Sequence, residues 1–463
     1  MNIVKVLSKQ TWGADRKTLT SLYKSLIRSK MEYGSMIYNS ASENNLKILN
    51  PIHNQCMRYA TGAFCTTPIN ALNIETNEPP PEVRRKIQMT SYAAKVLSIQ
   101  NHPCYNLLMF PKFLSLLENK KINTTNVLLQ EYYPLFKKIT HIKHRTLTPW
   151  EENKTEINFQ LHIYSKNNTN AQVIKTIFLS VVSEYNNCVK IYTDGSKDST
   201  YSGCAFVIPE QNITRKYRLD PKSSVFTCEL YAIYSALKLI YDTNNTYPQN
   251  YVIISDSQAA LQAISRVGNA INPMVTNIQD LLHNIQHNQI QINFLWCPSH
   301  CGIQGNEDAD QAAKSSLTEP EVPVYECITP TDLAASIKQT ILKRWRDSFE
   351  FISTKISEIK QYPATWTTST QNSRSNETTL MRLRTGHSRL THQYLLKRED
   401  PPTCQCGEIL SIKHILTACS THTVQRNIIF PPSEQTLCDM LKDSSDSVHR
   451  VFTFINKVMI KDL

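Results

Sequence analysis

Apolar and polar positions follow the pattern of a mixed sheet between residues 188 and 316. Short β-prone runs bounded by turn residues predict five strands, at 189–193, 202–208, 214–219, 251–255 and 290–296. The first run ends at Asp194-Gly195-Ser196, a sequence typical of a turn. The fourth run is apolar throughout its middle, so we expect that strand at the centre of the sheet.

Helices are predicted among the later strands. Leu230, Ile233, Leu237 and Ile240 recur at helical spacing and define one buried stripe. Further helices are predicted at 258–264, 271–285 and 305–314. Three strands in a meander, followed by strands that are entered through helices, indicate an α/β (mixed α+β) sheet covered by helices.

The rest of the chain divides into three further regions by pattern. Residues 1–80 have helical spacing and end at Pro79-Pro80-Pro81. Residues 81–187 begin as a helix and then become rich in Asn, Lys and Thr, which is typical of a connector. Residues 329–463 look mainly helical and carry a compact Cys/His cluster. A chain of 463 residues is expected to form two or three domains.

Composition indicates the cellular compartment and the class of binding partner to expect. The formal net charge of +11 favours polyanionic partners such as nucleic acid, although many soluble proteins are as basic. The 13 cysteines are odd in number and mostly embedded in apolar stretches, which indicates free thiols in a reducing compartment. No leader-like core or membrane-length apolar run is present. We therefore expect a soluble intracellular protein, nuclear or cytoplasmic, with no membrane partner.

Four acidic residues occupy informative positions in the α/β pattern. Asp194 and Asp256 each follow a strand, Glu229 lies early in a helix, and Asp310 lies within the last helix. Sites of α/β sheets collect where strands end. Carboxylates that meet there repel each other unless cations separate them. Two Mg²⁺ ions about 4 Å apart can hold both the attacking water and the leaving oxygen of a phosphodiester.

The motifs around these residues resemble the type 1 ribonuclease H superfamily. They are Thr193-Asp194-Gly195-Ser196, Glu229-Leu230, Ser255-Asp256-Ser257 and the stretch from Pro298 to Asp310. The resemblance implies a five-stranded mixed sheet with helices on both faces. It further implies that Asp194, Glu229, Asp256 and Asp310 bind catalytic Mg²⁺ (or Mn²⁺), and that His300 assists proton transfer or product release.

Each motif has a simpler explanation when it is taken alone. Asp194-Gly195 is typical of a hairpin turn, Glu229 of a solvated helix residue, and Asp256 of a helix N-cap. Asp310 would be a surface charge and His300 an ordinary loop residue. Four motifs in the same order, on elements of the expected type, favour the joint explanation.

The first region resembles the segment that follows the polymerase palm in non-LTR reverse transcriptases of the jockey type. The residues that carry this likeness are Leu22 to Ile27, Tyr33-Gly34-Ser35, Arg58 to Ala63 and Thr67-Pro68. The chain has no Asp-Asp dipeptide, so the paired aspartates of a polymerase site are missing and no DNA synthesis is predicted.

The fourth region contains a candidate zinc site. Cys404, Cys406, His414 and Cys419 would supply three thiolates and one imidazole for Zn²⁺, and unligated thiols are an equal alternative. Arg382, Arg384 and Lys413 nearby would then contact nucleic acid, or would form only a solvated basic face.

Three functions compete at this point. The leading one is a metal-dependent endoribonuclease that cuts the RNA strand of RNA–DNA hybrids and derives from a retrotransposon. The alternative is a catalytically silent, nucleic-acid-binding remnant of such a protein. A weaker third possibility is a structural interaction protein that uses the flanking helices. The oligomeric state is not predicted.

Overall fold

The computed structural model describes residues 1–10, 12–109, 124–142, 155, 157–164, 168–243, 250–266 and 272–460. The chain forms two compact units. We call them the helical unit (residues 1–89, 122–125 and 338–463) and the sheet unit (residues 90–121 and 126–337). The predicted first and fourth regions thus share one unit. The boundaries predicted from sequence stay predictions, and part of the connector at 81–187 lies outside the described residues.

The sheet unit is built on a mixed sheet of seven strands within the described residues. In chain order they are β1 Ile157–Asn158, β2 Cys188–Lys197, β3 Ser202–Ile208, β4 Ile213–Leu219, β5 Asn250–Ser255, β6 Ile292–Trp296 and β7 Val324–Tyr325. Their spatial order is β1-β6-β5-β2-β3-β4-β7. The β2–β3 and β3–β4 pairs are antiparallel, and the remaining pairs are parallel.

The fold class is confirmed, and residues 188–316 contain the five predicted strands. The five long strands match the predicted ones, and the meander of β2, β3 and β4 is present. The two additional strands, β1 and β7, contain only two residues each, too few for an alternating pattern in the sequence. Both extend the sheet at its edges.

The helices of the described residues have the following bounds. They are Asn2–Leu7, Arg16–Leu22, Ser29–Glu32, Ser35–Tyr38, Glu43–Lys47, Asn50–Thr61, Ile69–Thr76, Pro81–Leu97, Tyr105–Met109, Thr124–Phe136, Ala171–Ser183, Val225–Thr243, Gln258–Ile264, Pro273–His287, Gln304–Ser316, Pro330–Asp347, Arg374–Thr385, Arg389–His392, Tyr394–Lys397, Thr423–Ile429, Leu437–Leu441 and Ser445–Lys457. The predicted start of one helix at residue 271 lies outside the described residues; its observed N-cap is Asn272.

Helices cover both faces of the sheet. On one face, the helices Val225–Thr243 and Pro273–His287 pack against strand residues such as Ile191 and Ile253. The predicted stripe of Leu230, Ile233, Leu237 and Ile240 is buried there. On the other face, the helices Ala171–Ser183 and Gln304–Ser316 pack against strand residues that include Tyr192 and Val252. Strand β5, apolar in its middle, lies between β2 and β6 inside the sheet.

The turn predicted at Asp194-Gly195-Ser196 is wrong. Strand β2 continues to Lys197, and Asp194 and Gly195 pair with Ala205 and Cys204 of β3. The turn lies after this pairing ends, where the carboxylate of Asp198 accepts hydrogen bonds from the backbone N–H groups of Thr200 and Tyr201.

The helical unit brings residues from both ends of the chain into shared apolar clusters. Ala71 and Ile74 pack with Trp345, Phe349 and Ile356. A larger cluster is formed by buried residues between Ile359 and Ile455. The N-terminal helices therefore bury part of their apolar surface on residues that follow the sheet unit in sequence.

A buried carboxylate in the helical unit is surrounded by three basic side chains. An oxygen of Glu75 lies 2.8 Å from Nη1 of Arg16 and 3.8 Å from Nη1 of Arg384, and its second oxygen lies 3.8 Å from Nζ of Lys360. Ser369 donates a hydrogen bond of 2.7 Å to the first oxygen. Burial alone would raise the pKa of Glu75, but Arg16, Lys360 and Arg384 lower it to about 2.

We predict that Glu75→Gln lowers the free energy of unfolding by about 3–5 kcal/mol, because it leaves buried cations without their counter-charge. The exposed Glu43, paired with Lys47 on the surface, gives the matched control Glu43→Gln, for which a loss of at most about 0.5 kcal/mol is expected. Urea unfolding followed by circular dichroism measures both. Since the pKa of Glu75 is lowered, its contribution should be lost as the pH falls from 4.5 towards 2. Equal effects of the two substitutions would contradict the prediction.

Candidate active site

Two of the predicted acidic residues lie side by side because their strands are parallel neighbours. Thr193 of β2 pairs with Ser255 of β5, the last residue of that strand. Asp194 and Asp256 are the next residues along their chains, so both leave this pairing at the same edge of the sheet. Parallel pairing in this register fixes their proximity.

The third carboxylate arrives on a helix that packs unusually close to β2. Glu229 lies in the helix Val225–Thr243, which crosses β2 at Gly195. A Cβ atom at residue 195 would lie 2.6 Å from the backbone N of Glu229 and 2.9 Å from the carbonyl carbon of Cys228. Gly195 is therefore required for close approach of the helix, rather than for a turn.

Asp194, Glu229 and Asp256 form a compact cluster. Each offers one carboxylate oxygen, and these three atoms lie within 4.8 Å of one another. Asp194 and Glu229 are only 6% exposed, and Asp256 is half-buried. The Oε2 atom of Glu229 is buried without a hydrogen-bond partner in the described part of the chain. Glu229 is thus not a solvated helix residue, contrary to its simpler explanation.

Burial and repulsion by neighbouring carboxylates make Asp194 and Glu229 hard to ionise. Burial raises the pKa of Asp194 to about 8, with further contributions from the charges of Asp256 and Asp310. The pKa of Glu229 is raised well above its ordinary value, first by burial and then by Asp194 and Asp256. A hydrogen bond from the Gly195 backbone only partly offsets this effect. Buried oxygen donors that repel one another, one of them unpartnered, fit a divalent cation such as Mg²⁺.

Asp310, the fourth predicted ligand, lies next to the cluster but outside it. Its carboxylate is not within 4.8 Å of all three others, yet it is close enough to raise the pKa of Asp194. Asp310 instead forms an ion pair of 2.6 Å with Lys314, one turn further along the helix Gln304–Ser316. The lysine was overlooked in the sequence, although its spacing of four residues from Asp310 is the signal for such a pair.

Residues 186–318, which carry this cluster, match the family model described as RNase H. This segment is an RNase H domain. Three similar proteins are Pol polyproteins of equine infectious anemia virus, from strain Wyoming and isolates 1369 and CL22. Each is 30% identical over 136 residues, which is 29% of this chain and 11% of the viral protein. The chain thus matches about a tenth of the length of these relatives.

The loop after β6 in the RNase H domain carries His300. His300 is exposed, adopts a left-handed backbone conformation (φ = 55°) and lies outside the carboxylate cluster. Two contacts shape this part of the domain. The indole N–H of Trp296 donates a hydrogen bond of 2.9 Å to the carbonyl oxygen of Asp256. The backbone N–H of Gly302 donates a hydrogen bond of 2.9 Å to the carboxylate of Glu307. Trp296 also packs against the core.

The N-cap explanation for Asp256 is not supported by the geometry. The hydroxyl of Ser257 accepts from the backbone N–H of Ala260 and caps the helix Gln258–Ile264. The carboxylate of Asp256 is therefore not needed as the cap of this helix.

The four residues of the Cys/His cluster also converge, in the helical unit. One ligand atom from each of Cys404, Cys406, His414 and Cys419 lies within 4.8 Å of the others. The Sγ atoms of Cys404 and Cys419 are 3.6 Å apart, near the edge of about 3.8 Å expected for a tetrahedral zinc–thiolate site. Sγ of Cys406 lies 3.1 Å from Nε2 of His414.

The local backbone explains how this cluster forms. Gly407 adopts φ = 93° in a tight turn just after Cys404 and Cys406. Its backbone N–H donates a hydrogen bond of 2.9 Å to the carbonyl oxygen of Cys404. A π-helical turn, His414–Ala418, then brings Cys419 next to His414. The backbone N–H of Cys419 donates a hydrogen bond of 2.7 Å to the carbonyl oxygen of His414. The single-residue gap between Cys404 and Cys406 is therefore accommodated by glycine.

The alternative of a solvated basic face is wrong for two nearby arginines, and their contact with nucleic acid stays a prediction. Arg382 and Arg384 are buried and donate hydrogen bonds within the helical unit. Arg384 donates to the carbonyl oxygen of Leu441 and to the hydroxyl of Thr368, and Arg382 donates to the carbonyl oxygen of Gly62. Lys413 is exposed but pairs with Glu358 at 2.7 Å.

Among the residues that the structure describes, no helix combines the length and apolarity needed to cross a membrane.

We predict that Asp194→Asn stabilises the metal-free protein at neutral pH, because it removes a buried carboxylate from a cluster of three that repel one another. A raised carboxyl pKa costs stability as the pH rises from 3.8 to about 8, so the gain should grow over that interval. Thermal unfolding in EDTA measures it, with Asp308→Asn as the control, since Asp308 accepts a hydrogen bond from Gln304 on the same helix and lies outside the cluster. Mg²⁺ should stabilise the unmutated protein more than the Asp194→Asn variant. A variant that is less stable than the original in EDTA at pH 8 would contradict this account.

Proposed function

We propose that the chain is a metal-dependent endoribonuclease that hydrolyses the RNA strand of RNA–DNA hybrids. The observation that carries this proposal is the approach of Asp194, Glu229 and Asp256 to within 4.8 Å at one edge of the sheet of an RNase H domain. The family's general action on hybrids supports the same substrate. Bound Mg²⁺ or Mn²⁺ would supply Lewis-acid stabilisation of the phosphate and a water of lowered pKa.

The side chains of this chain have distinct roles in the proposal. Asp194, Glu229 and Asp256 would hold the cations, and the burial of Asp194 and Glu229 limits the access of competing water to their oxygens. Asp310 would be the fourth ligand, provided that its carboxylate is released from Lys314. His300, exposed on the loop after β6, takes or delivers a proton at its imidazole, or helps the product to leave.

We predict that Asp194→Asn and Asp256→Asn each reduce cleavage of a labelled RNA–DNA hybrid by at least about a hundredfold, because each removes a cation ligand. The measurement uses the full chain with Mg²⁺, and EDTA should abolish the activity of the unmutated protein. Asp308→Asn is the matched control and should retain activity, because Asp308 lies on the same helix as Asp310 but outside the cluster.

Undiminished cleavage by either cluster variant, or cleavage that survives EDTA, would remove the assignment.

A second candidate is a catalytically silent remnant that binds nucleic acid. The ion pair between Asp310 and Lys314 favours it, because a lysine there occupies a proposed metal ligand. Hybrid binding with no turnover in Mg²⁺ or Mn²⁺ would decide for the remnant.

We further propose that the chain derives from a retroelement. The match to retroviral Pol polyproteins supports this origin at a coarse level. The closer assignment, to a jockey-like non-LTR reverse transcriptase, stays a prediction from the motifs of residues 1–80.

A structural Zn²⁺ at Cys404, Cys406, His414 and Cys419 is our proposal for the second cluster. We predict about one zinc per purified chain and its loss in Cys406→Ala or His414→Ala, with the exposed Cys438→Ala as control. Elemental analysis and thermal unfolding with a chelator measure this. A disulfide between Cys404 and Cys419, or full reactivity of the three thiols and the imidazole in the zinc-supplied protein, would contradict it.

A further inference from the structure

A basic cleft in the helical unit is separate from both metal clusters. It has a volume of about 1080 Å³ and is bounded by residues from both ends of the chain. Its five charged lining residues are all basic: Lys5, Lys9, Arg58, Arg382 and Arg389. No acidic residue lines it among the parts of the chain that the structure describes. Positive charge without local compensation attracts anions.

Two of the arginines are built into the wall of this basic cleft. Arg58 donates from Nη2 to the carbonyl oxygen of Thr67, and Arg382 donates from Nε to that of Gly62. Because a carbonyl group is neutral, the contact with Thr67 orients the guanidinium of Arg58 without cancelling its charge. The Nε atom of Arg58 is buried and has no hydrogen-bond partner within the described structure. Such an orphaned donor is costly unless a ligand satisfies it.

The remaining cations lie at exposed positions. Lys5, Lys9 and Arg389 are exposed, and no ion pair is recorded for any of them in the described residues. Charges spread over several chain segments suit an extended polyanion better than a single small anion. Ordinary small-molecule pockets are lined mainly by apolar groups, which this cleft is not.

The neutral lining of the cleft indicates which polyanion fits. Three aromatic side chains, Tyr59, Phe64 and Phe452, are half-buried along it, and five amide side chains also face the space. Aromatic rings stack on unpaired bases, and amides bond to their edges. A duplex keeps its bases stacked internally, and an acidic peptide has no planar bases to stack.

We propose that this basic cleft binds the phosphate backbone and bases of single-stranded nucleic acid. The proposal does not depend on the nuclease activity of the RNase H domain, which lies in the other unit. It gives the helical unit a nucleic-acid-binding role of its own.

The test measures binding of a fluorescently labelled oligothymidylate of about 20 nucleotides to the full chain by anisotropy. The triple variant Lys5→Glu, Lys9→Glu, Arg389→Glu should weaken binding at least tenfold. Three lost phosphate contacts should also reduce the slope of log affinity against log salt by about 2. The control triple Lys17→Glu, Lys30→Glu, Lys338→Glu makes the same change in net charge at exposed positions of the helical unit outside the cleft. It should change affinity less than about twofold.

Equal losses in the two triple variants would show that only net charge matters and would overturn the proposal. Tighter binding of a duplex of the same length, or equal competition by polyglutamate at matched charge, would overturn the single-strand assignment. Thermal unfolding checks that both variants fold. If the glutamate triple unfolds, the milder set Lys5→Gln, Lys9→Gln, Arg389→Gln must give the same reduction in salt slope, and an unchanged slope would refute the proposal.

Discussion

Repulsion among three clustered carboxylates, two of them buried, is the constraint on which the RNase H domain depends. Asp194 and Glu229 are removed from water and held within 4.8 Å of Asp256, so burial and proximity both oppose their ionisation. A fold that is selected for stability alone would separate such groups or pair them with lysine or arginine. The cluster is stable as an ionised set only with cations among its oxygens, which links the folding energy of the domain to its proposed chemistry.

The surrounding fold holds this unfavourable arrangement in place. Parallel pairing of β2 with β5 keeps Asp194 beside Asp256, and apolar contacts on both sheet faces resist their separation. Gly195 removes the side chain that would push the Glu229 helix away. Next to the carboxylate cluster, Lys314 forms an ion pair with Asp310 and lowers the pKa of Asp194. The domain therefore relieves part of the repulsion with its own cation, at the position where the proposed metal set is incomplete.

The helical unit uses charge in the opposite way. Glu75 is buried among three cations that keep it ionised, which joins segments from both ends of the chain. The basic cleft, in contrast, has five basic residues and no acidic one among its described lining residues. Paired charges join segments of the unit, whereas the charges of the cleft face the space of the proposed ligand. The Cys/His cluster belongs to the same unit and closes its local turns through Gly407 and the π-helical turn.

The sequence by itself determined the five long strands and the buried stripe of the Glu229 helix, because hydrophobic periodicity is a short-range signal. The positions of acidic residues after strands and on helices also indicated the residues that cluster. The two short edge strands, the continuation of β2 through Asp194-Gly195 and the burial of Arg382 and Arg384 were decided by tertiary structure. Each depends on partners distant in sequence: Ala205 and Cys204 for β2, and Gly62 or Leu441 for the arginines. The basic cleft combines residues separated by more than 300 positions, so only the folded chain could assemble it.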